Sequence, residues 1–202
     1  MRLPSWARAV PLVLVATAVL AAGCGRSGYE YVENDDETVF LKIPEDWQVV
    51  SEGAVNFTIA PDDDIQPIYG EFVWPWRAEF DAAPSGLAGS FDYVQGYVEV
   101  QPVDRRMQAQ VTPALFFPEL TVAPGLVEQM RHDLVTIGDV SGHRMAWKQV
   151  SATGETFVSD RLVLIDSLGS KVYHLHVVCT LGCYNANLAE IDEVMRTFTV
   201  ED

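Results

Sequence analysis

The sequence predicts an α+β domain, an antiparallel sheet with helices packed on it. Three strand-like runs near the end of the chain, Arg144 to Ala152, Phe157 to Asp166 and Lys171 to Cys179, are joined by the glycine-containing connections "TGE" and "SLGS", which suit antiparallel hairpins. Behind them Leu188, Ile191, Val194, Met195 and Phe198 recur at helical spacing, and Asn187 with Glu190 three residues on has the pattern of a capping box. Strands outnumber helices elsewhere, so the apolar stripe of that last helix needs a sheet face to cover.

The other elements follow in chain order. "TVFLKIP" alternates Val39, Leu41 and Ile43 with Phe40 and Lys42 and ends at Pro44, a strand; "EDW" makes the corner into a second at "QVVSE". Short strands follow at "NFTIA", at Glu71 to Phe80 and at "YVEVQPV". After Pro124-Gly125, the apolar residues Leu126, Val127, Met130 and Leu134 predict a helix. The acidic cluster Glu30, Glu33, Asp35, Asp36 and Glu37 reads as a solvated turn. "DDDIQPIYGE", which begins at Asp62, is no calcium loop, because Pro67 stands where such a loop needs its sixth-position glycine.

The amino-terminal segment is of another kind. Arg2 and Arg8 precede a 14-residue uncharged run from Ala9 to Ala22, shorter than the ~20 residues that span a bilayer and suited to the apolar region of a signal peptide. A small residue, Gly23, directly precedes Cys24. This resembles the lipobox of bacterial lipoproteins, with Ala21 where the usual pattern has Leu, and implies that the thiol is diacylated and becomes the first residue of the mature chain. The expected organisation is a signal peptide over 1–23, a lipidated cysteine and tether over 24–29, and one domain over 30–202. Three cysteines is an odd count for an exported chain; if Cys24 carries lipid, Cys179 and Cys183 remain as a disulfide pair in an oxidising compartment.

Charge excludes some partners. The chain carries 13 basic and 29 acidic residues, net −16; losing Arg2 and Arg8 with the signal takes the mature chain to −18. Electrostatics will not draw such a chain to nucleic acid or to anionic lipid. Attachment to the membrane is expected through the lipid on Cys24, on the extracytoplasmic face.

"FLKIPEDWQVV", "VTIGDVSGHRMAWKQV" and "RLVLIDSLGSKVYHLHVVC" followed by "IDEVMRTFTV" are similar to PsbP-like domains and the LpqN-type lipoproteins of actinobacteria. The shared positions are Pro44 with Trp47, Gly138 or Gly142, and Thr197 with Phe198; the similarity covers most of residues 38 to 200 and is poor between about Asp62 and Glu119. It implies a sheet sandwiched by helices and a role as a binding or assembly module without catalysis, with a protein or small-molecule partner in the cell envelope.

Motifs for chemistry are missing: no G-x-S-x-G elbow, no phosphate-binding loop, no G-x-G-x-x-G and no H-E-x-x-H occurs. No catalytic residue and no cofactor are expected. Metal-ligand residue types gather only in "HLHVVCTLGC", where His174 and His176, two apart on a strand, share a face. A metal-handling protein using His174 and His176 is the alternative to the binding module. The most unusual composition lies in "EFVWPWRAEF". At period two, Phe72, Trp74, Trp76, Ala78 and Phe80 form one face, which either covers the core or, with Phe116 and Phe117, lines a partner-binding groove. Pro75 cannot donate to a ladder, which predicts an edge strand or a break in pairing.

Overall fold

The structure is a computed structural model and describes residues 28–36, 38–54, 76–117 and 127–201. Cys24, Phe72, Trp74 and Pro75, together with the expected "NFTIA" strand, lie outside the described residues.

Two sheets form. Strands β1 (Tyr29–Glu33), β2 (Val39–Pro44) and the final short β10 (Thr199–Val200) make a small antiparallel sheet in the order β1-β2-β10. Seven antiparallel strands make the large one: β3 (Gln48–Ala54), β4 (Trp76–Asp81), β5 (Gln95–Pro102), β6 (Val127–Ile137), β7 (Val140–Val150), β8 (Thr156–Ile165) and β9 (Lys171–Thr180). Their spatial order is β3-β4-β5-β9-β8-β7-β6, so β7 to β9 are a meander as the hairpin connections predict, β6 extends it, and β5 joins it from earlier in the chain. Two helices follow β9: α1 (Leu181–Ala186) and α2 (Leu188–Thr197).

One core explains the arrangement. Alternation along β2 buries Val39, Leu41 and Ile43 fully, and they meet Ile191, Val194, Met195 and Phe198 of and just after α2. Against these lie Ala78 and Phe80 of β4, Val98 and Val100 of β5, Leu162 and Leu164 of β8, and Tyr173, Leu175 and Val177 of β9. That is every second residue of four strands, the inner face of the large sheet. Trp47, three residues after Pro44, is buried and stacks on Phe80 with ring centroids 5.6 Å apart. The outer face has a different cover. The stretch from Val103 to Phe117, with short 3-10 turns at Gln108–Gln110 and Pro113–Phe116, packs Val103, Val111, Phe116 and Phe117 on Met145, Trp147, Val163 and Val172. Among the described residues both α-helices sit on the inner face, so the two-sided helical sandwich is not what this portion shows.

The structure corrects several sequence readings. The expected helix around Met130 and Leu134 is strand β6, and both side chains point to solvent, Leu134 with 81% of its surface exposed. A register shift between Gln129 and Arg131 inserts one extra residue. The half-buried positions are Val127, Arg131, Val135 and Ile137, with Val127 packing on the outer face and Val135 and Ile137 on the inner one. β-Branched Val135, Thr136 and Ile137 fit the strand, and Gly138, at φ +58, makes the tight turn into β7.

At the other end of the chain α1 was not foreseen. Thr180 caps it by accepting a hydrogen bond from the Cys183 N–H. Asn187 is no capping box for α2. It sits between the two helices, and both its backbone N–H and its Nδ2 donate to the Cys183 carbonyl, at 3.0 and 2.9 Å, closing α1 instead. Of the two outcomes expected from Pro75, the edge strand is not found, since from Trp76 to Asp81 β4 pairs with β3 on one side and β5 on the other; a break in pairing at Pro75 lies outside the described residues.

A buried ion cluster ties α2 to the sheet. Asp160, on the inner face of β8 with no exposed surface, accepts from Arg144 Nε at 3.0 Å and Nη2 at 2.6 Å, and from the Tyr184 hydroxyl at 2.8 Å. Arg144 also donates to Asp192 of α2 at 2.7 Å, as does Arg131 at 2.6 Å. Burial, then the charge of Asp160 and its hydrogen bond, raise the Tyr184 phenol well above its ordinary value.

Candidate functional site

Strict alternation puts the polar half of the central strands on the outer face. β9 contributes His174 and His176, β5 contributes Tyr97 and Glu99, β4 contributes Arg77 and Glu79, and β8 contributes Ser159 and Arg161. In register, Tyr97 stands opposite His176 and Glu99 opposite His174.

The Tyr97 ring meets both imidazoles edge-on, with centroids 5.2 Å from each. On Tyr97 lies the Arg77 guanidinium, 4.3 Å from the ring centroid, held by Glu99 at 2.6 Å. The two imidazoles are nearly parallel, 6.1 Å apart. His176 Nε2 is 3.3 Å from the Ser159 hydroxyl. Arg161 donates to the Phe116 carbonyl at 2.6 Å and lies over Trp147. Burial, followed by the positive charges of Arg161 and Arg77, lowers His176 to about 3, and burial first of all holds His174 well below its ordinary value. Both rings are neutral at physiological pH.

Beside this row opens a cleft of about 420 Å³ lined by Val50, Phe91, Gln95, Tyr97, His176 and Val178. Gln95 Nε2 in its wall and His174 Nε2 further along the row are buried and have no hydrogen-bond partner among the described residues. An unpaired buried donor costs ~1–3 kcal/mol, which an incoming acceptor recovers. The site therefore offers hydrogen bonding next to aromatic surface, with neutral imidazoles, one of them beside the Ser159 hydroxyl, features suited to holding a ligand.

The predicted site residues are distributed differently from expectation. Trp76, partly buried, and Phe80, buried, belong to the inner face and its core. Phe116 and Phe117 belong to the outer face, Phe117 edge-on to Trp147 at 6.1 Å. A seven-stranded sheet separates the two sets, so they do not line one groove. "HLHVVCTLGC" is divided in the same way: His174 and His176 point outward, whereas Cys179 is buried in the inner core with Cys183. The two cysteines stand at disulfide distance, with Cα atoms 5.9 Å apart. Tyr97, Gln95 and Arg77 were missed, although the alternation of "YVEVQPV" already sets Tyr97 and Glu99 apart from Val98 and Val100.

No family model and no curated protein matches the chain. Solved structures do. LpqN of Mycobacterium tuberculosis, described as involved in cell envelope biogenesis, aligns over 86% of this chain and 91% of its own at 15% identity with a TM-score of 0.50. Cyanobacterial PsbP from Synechocystis aligns over 89% and 96% at 10% identity with a TM-score of 0.51. The Ran-binding protein Mog1p of Saccharomyces cerevisiae aligns over 86% and 96% at 12% identity with a TM-score of 0.49. The fold is thus PsbP-like, of the LpqN type.

Proposed function

We propose that the protein is a lipid-anchored extracytoplasmic module that binds or assembles a cell-envelope partner and performs no catalysis. Cys24 after a signal peptide over 1–23 supplies the anchor, residues 24–29 the tether and residues 30–202 the domain. A diacylglyceryl group gives the two chains that stable anchoring needs. The observation that carries the reading is the outer-face cleft, where Gln95 presents a buried, unpartnered amide beside Tyr97 and neutral His176. The envelope role in the description of LpqN supports the location; the fold by itself does not select a partner. The alternative of metal handling by His174 and His176 gains nothing from the cysteines, which face the other way.

Cell fractionation with in-cell cross-linking tests both halves. Wild type is expected in the detergent-extractable membrane fraction and Cys24→Ala released or unprocessed. Gln95→Ala should weaken cross-linking to the partner without lowering the melting temperature, and Tyr97→Ala should weaken it too, at some cost in stability from the lost ring contacts. A mature Cys24→Ala protein that stays in the membrane rejects the anchor, and undiminished cross-linking by both face variants rejects the cleft.

Cys179 and Cys183 are proposed to form a disulfide that pins α1 to the end of β9. Closing so short a loop contributes only about 2 kcal/mol on the chain-entropy estimate. Alkylation under non-reducing conditions followed by mass measurement is expected to find no free thiol at either position; two alkylated thiols would reject the bridge.

A further inference from the structure

Away from the cleft, at the β6 edge of the outer face, a second pair of histidines stands in contact. His132 Nε2 is 2.7 Å from His143 Nδ1, and the ring centroids are 5.0 Å apart. The ladder explains the meeting. His132 is in register with Met145 and His143 with Leu134, so the two histidines occupy diagonal positions on adjacent strands and project from the same face. Neither ring bonds a carboxylate in the described structure; each nitrogen of the contact has only the other imidazole. His132 is exposed and His143 partly so.

We propose that His132 and His143 form a two-imidazole site for a late divalent transition-metal ion, with copper(II) bound most tightly. Metal–nitrogen bonds of about 2.0–2.1 Å at angles between 90° and tetrahedral put two ligand nitrogens about 2.9–3.3 Å apart. The observed 2.7 Å is a few tenths of an ångström short of that. The hydrogen bond occupies one lone pair and one N–H. Binding moves that proton within its own ring: His132 becomes the Nδ1–H tautomer, His143 remains or becomes the Nε2–H tautomer, and both facing nitrogens present lone pairs with no net proton released. His132, at an exposed position on an edge strand, has room to turn so that the lone pairs converge. Copper(II) heads the divalent order for nitrogen sites, and imidazole is among its preferred ligands. Beside His143 a cleft of about 520 Å³ with Thr136, Ser141 and Asp166 in its walls leaves space for water or a ligand on the metal's open positions.

Copper(II) titration of the mature chain, produced without a histidine tag and followed by calorimetry and electron paramagnetic resonance, tests this directly. One ion per chain with nitrogen hyperfine structure is expected. His132→Ala and His143→Ala should each weaken binding by at least the roughly tenfold that loss of even an outer ligand partner costs a metal site. His174→Ala and His176→Ala should leave it unchanged. Absence of binding by the wild type overturns the proposal, as does affinity that survives the double variant His132→Ala/His143→Ala. Affinity lost with His174 or His176 instead would overturn it in favour of the other histidine pair. Melting curves establish that the variants are folded. Neither residue touches the Gln95 cleft, so partner cross-linking in the double variant separates failure of this site from failure of the binding-module reading.

Discussion

Asp160→Ala is expected to destabilise the protein by about 3–5 kcal/mol, the cost of breaking a buried ion pair by removing one partner. The substitution removes the carboxylate that receives both Arg144 nitrogens and the Tyr184 hydroxyl, with no water access to replace it. Arg144 is left with Asp192 alone, and that carboxylate is shared with Arg131. A second variant tells an ionic cause from a packing one. Replacing Asp160 and Arg144 together by apolar residues of similar volume removes the stranded charge, and should recover most of the loss. Urea denaturation of both variants measures the difference. A single variant within 1 kcal/mol of wild type by that measurement would show that the cluster does not hold α2 on the sheet.

Acid is expected to weaken the fold through the outer-face histidines. His176 is lowered from 6.5 to about 3 in the folded chain, by burial before the charges of Arg161 and Arg77. The unfolded chain therefore takes up a proton near pH 6.5 that the folded chain refuses until about pH 3, and stability falls as pH is lowered between these values. Two pH units into that window, at about pH 4.5, the loss from His176 is roughly 3 kcal/mol. His174, also held well down, adds to it with the same sign. His176→Gln has nothing to titrate there and keeps a polar group near Ser159. Its unfolding free energy should drop less between pH 7 and 4.5 than that of wild type, by roughly 3 kcal/mol. Parallel pH dependence in the two proteins would contradict a half-buried imidazole held neutral in the folded chain.

Legibility in the sequence followed the range of the interaction. β2, β8, β9 and α2 are readable because their faces are set locally: Val39, Leu41 and Ile43 alternate, and Ile191, Val194 and Met195 recur at helical spacing whatever they meet. β6 misleads because Val127, Met130 and Leu134 fall at helical spacing, although Met130 and Leu134 are exposed and the bulge places Val127 and Val135 on opposite faces of the sheet. Placement of β5 against β9 is non-local, and nothing in "YVEVQPV" names its neighbour. The same limit applies to the site. His174 and His176 share a face by strand geometry alone, but the approach of Tyr97, Arg77 and Gln95 needs three strands in register. Among the described aromatic residues, Trp76 and Phe80 stay on the inner face while Phe116 and Phe117 cover the outer one around Trp147, a separation that the residues' own pattern does not show.

The small sheet sets an order of events. β2 is made early, yet it lies between β1 and β10, and its partner β10 is the last strand of the described chain. Thr197 and the Lys42 backbone, 155 residues apart, exchange hydrogen bonds just beside that junction. Bringing such distant points together costs about 4–5 kcal/mol of loop-closure entropy. Until α2 and β10 arrive, Val39, Leu41 and Ile43 have no lid. The β1–β2 hairpin thus depends on a strand far along the chain, and removing β10 would leave β2 without its second neighbour.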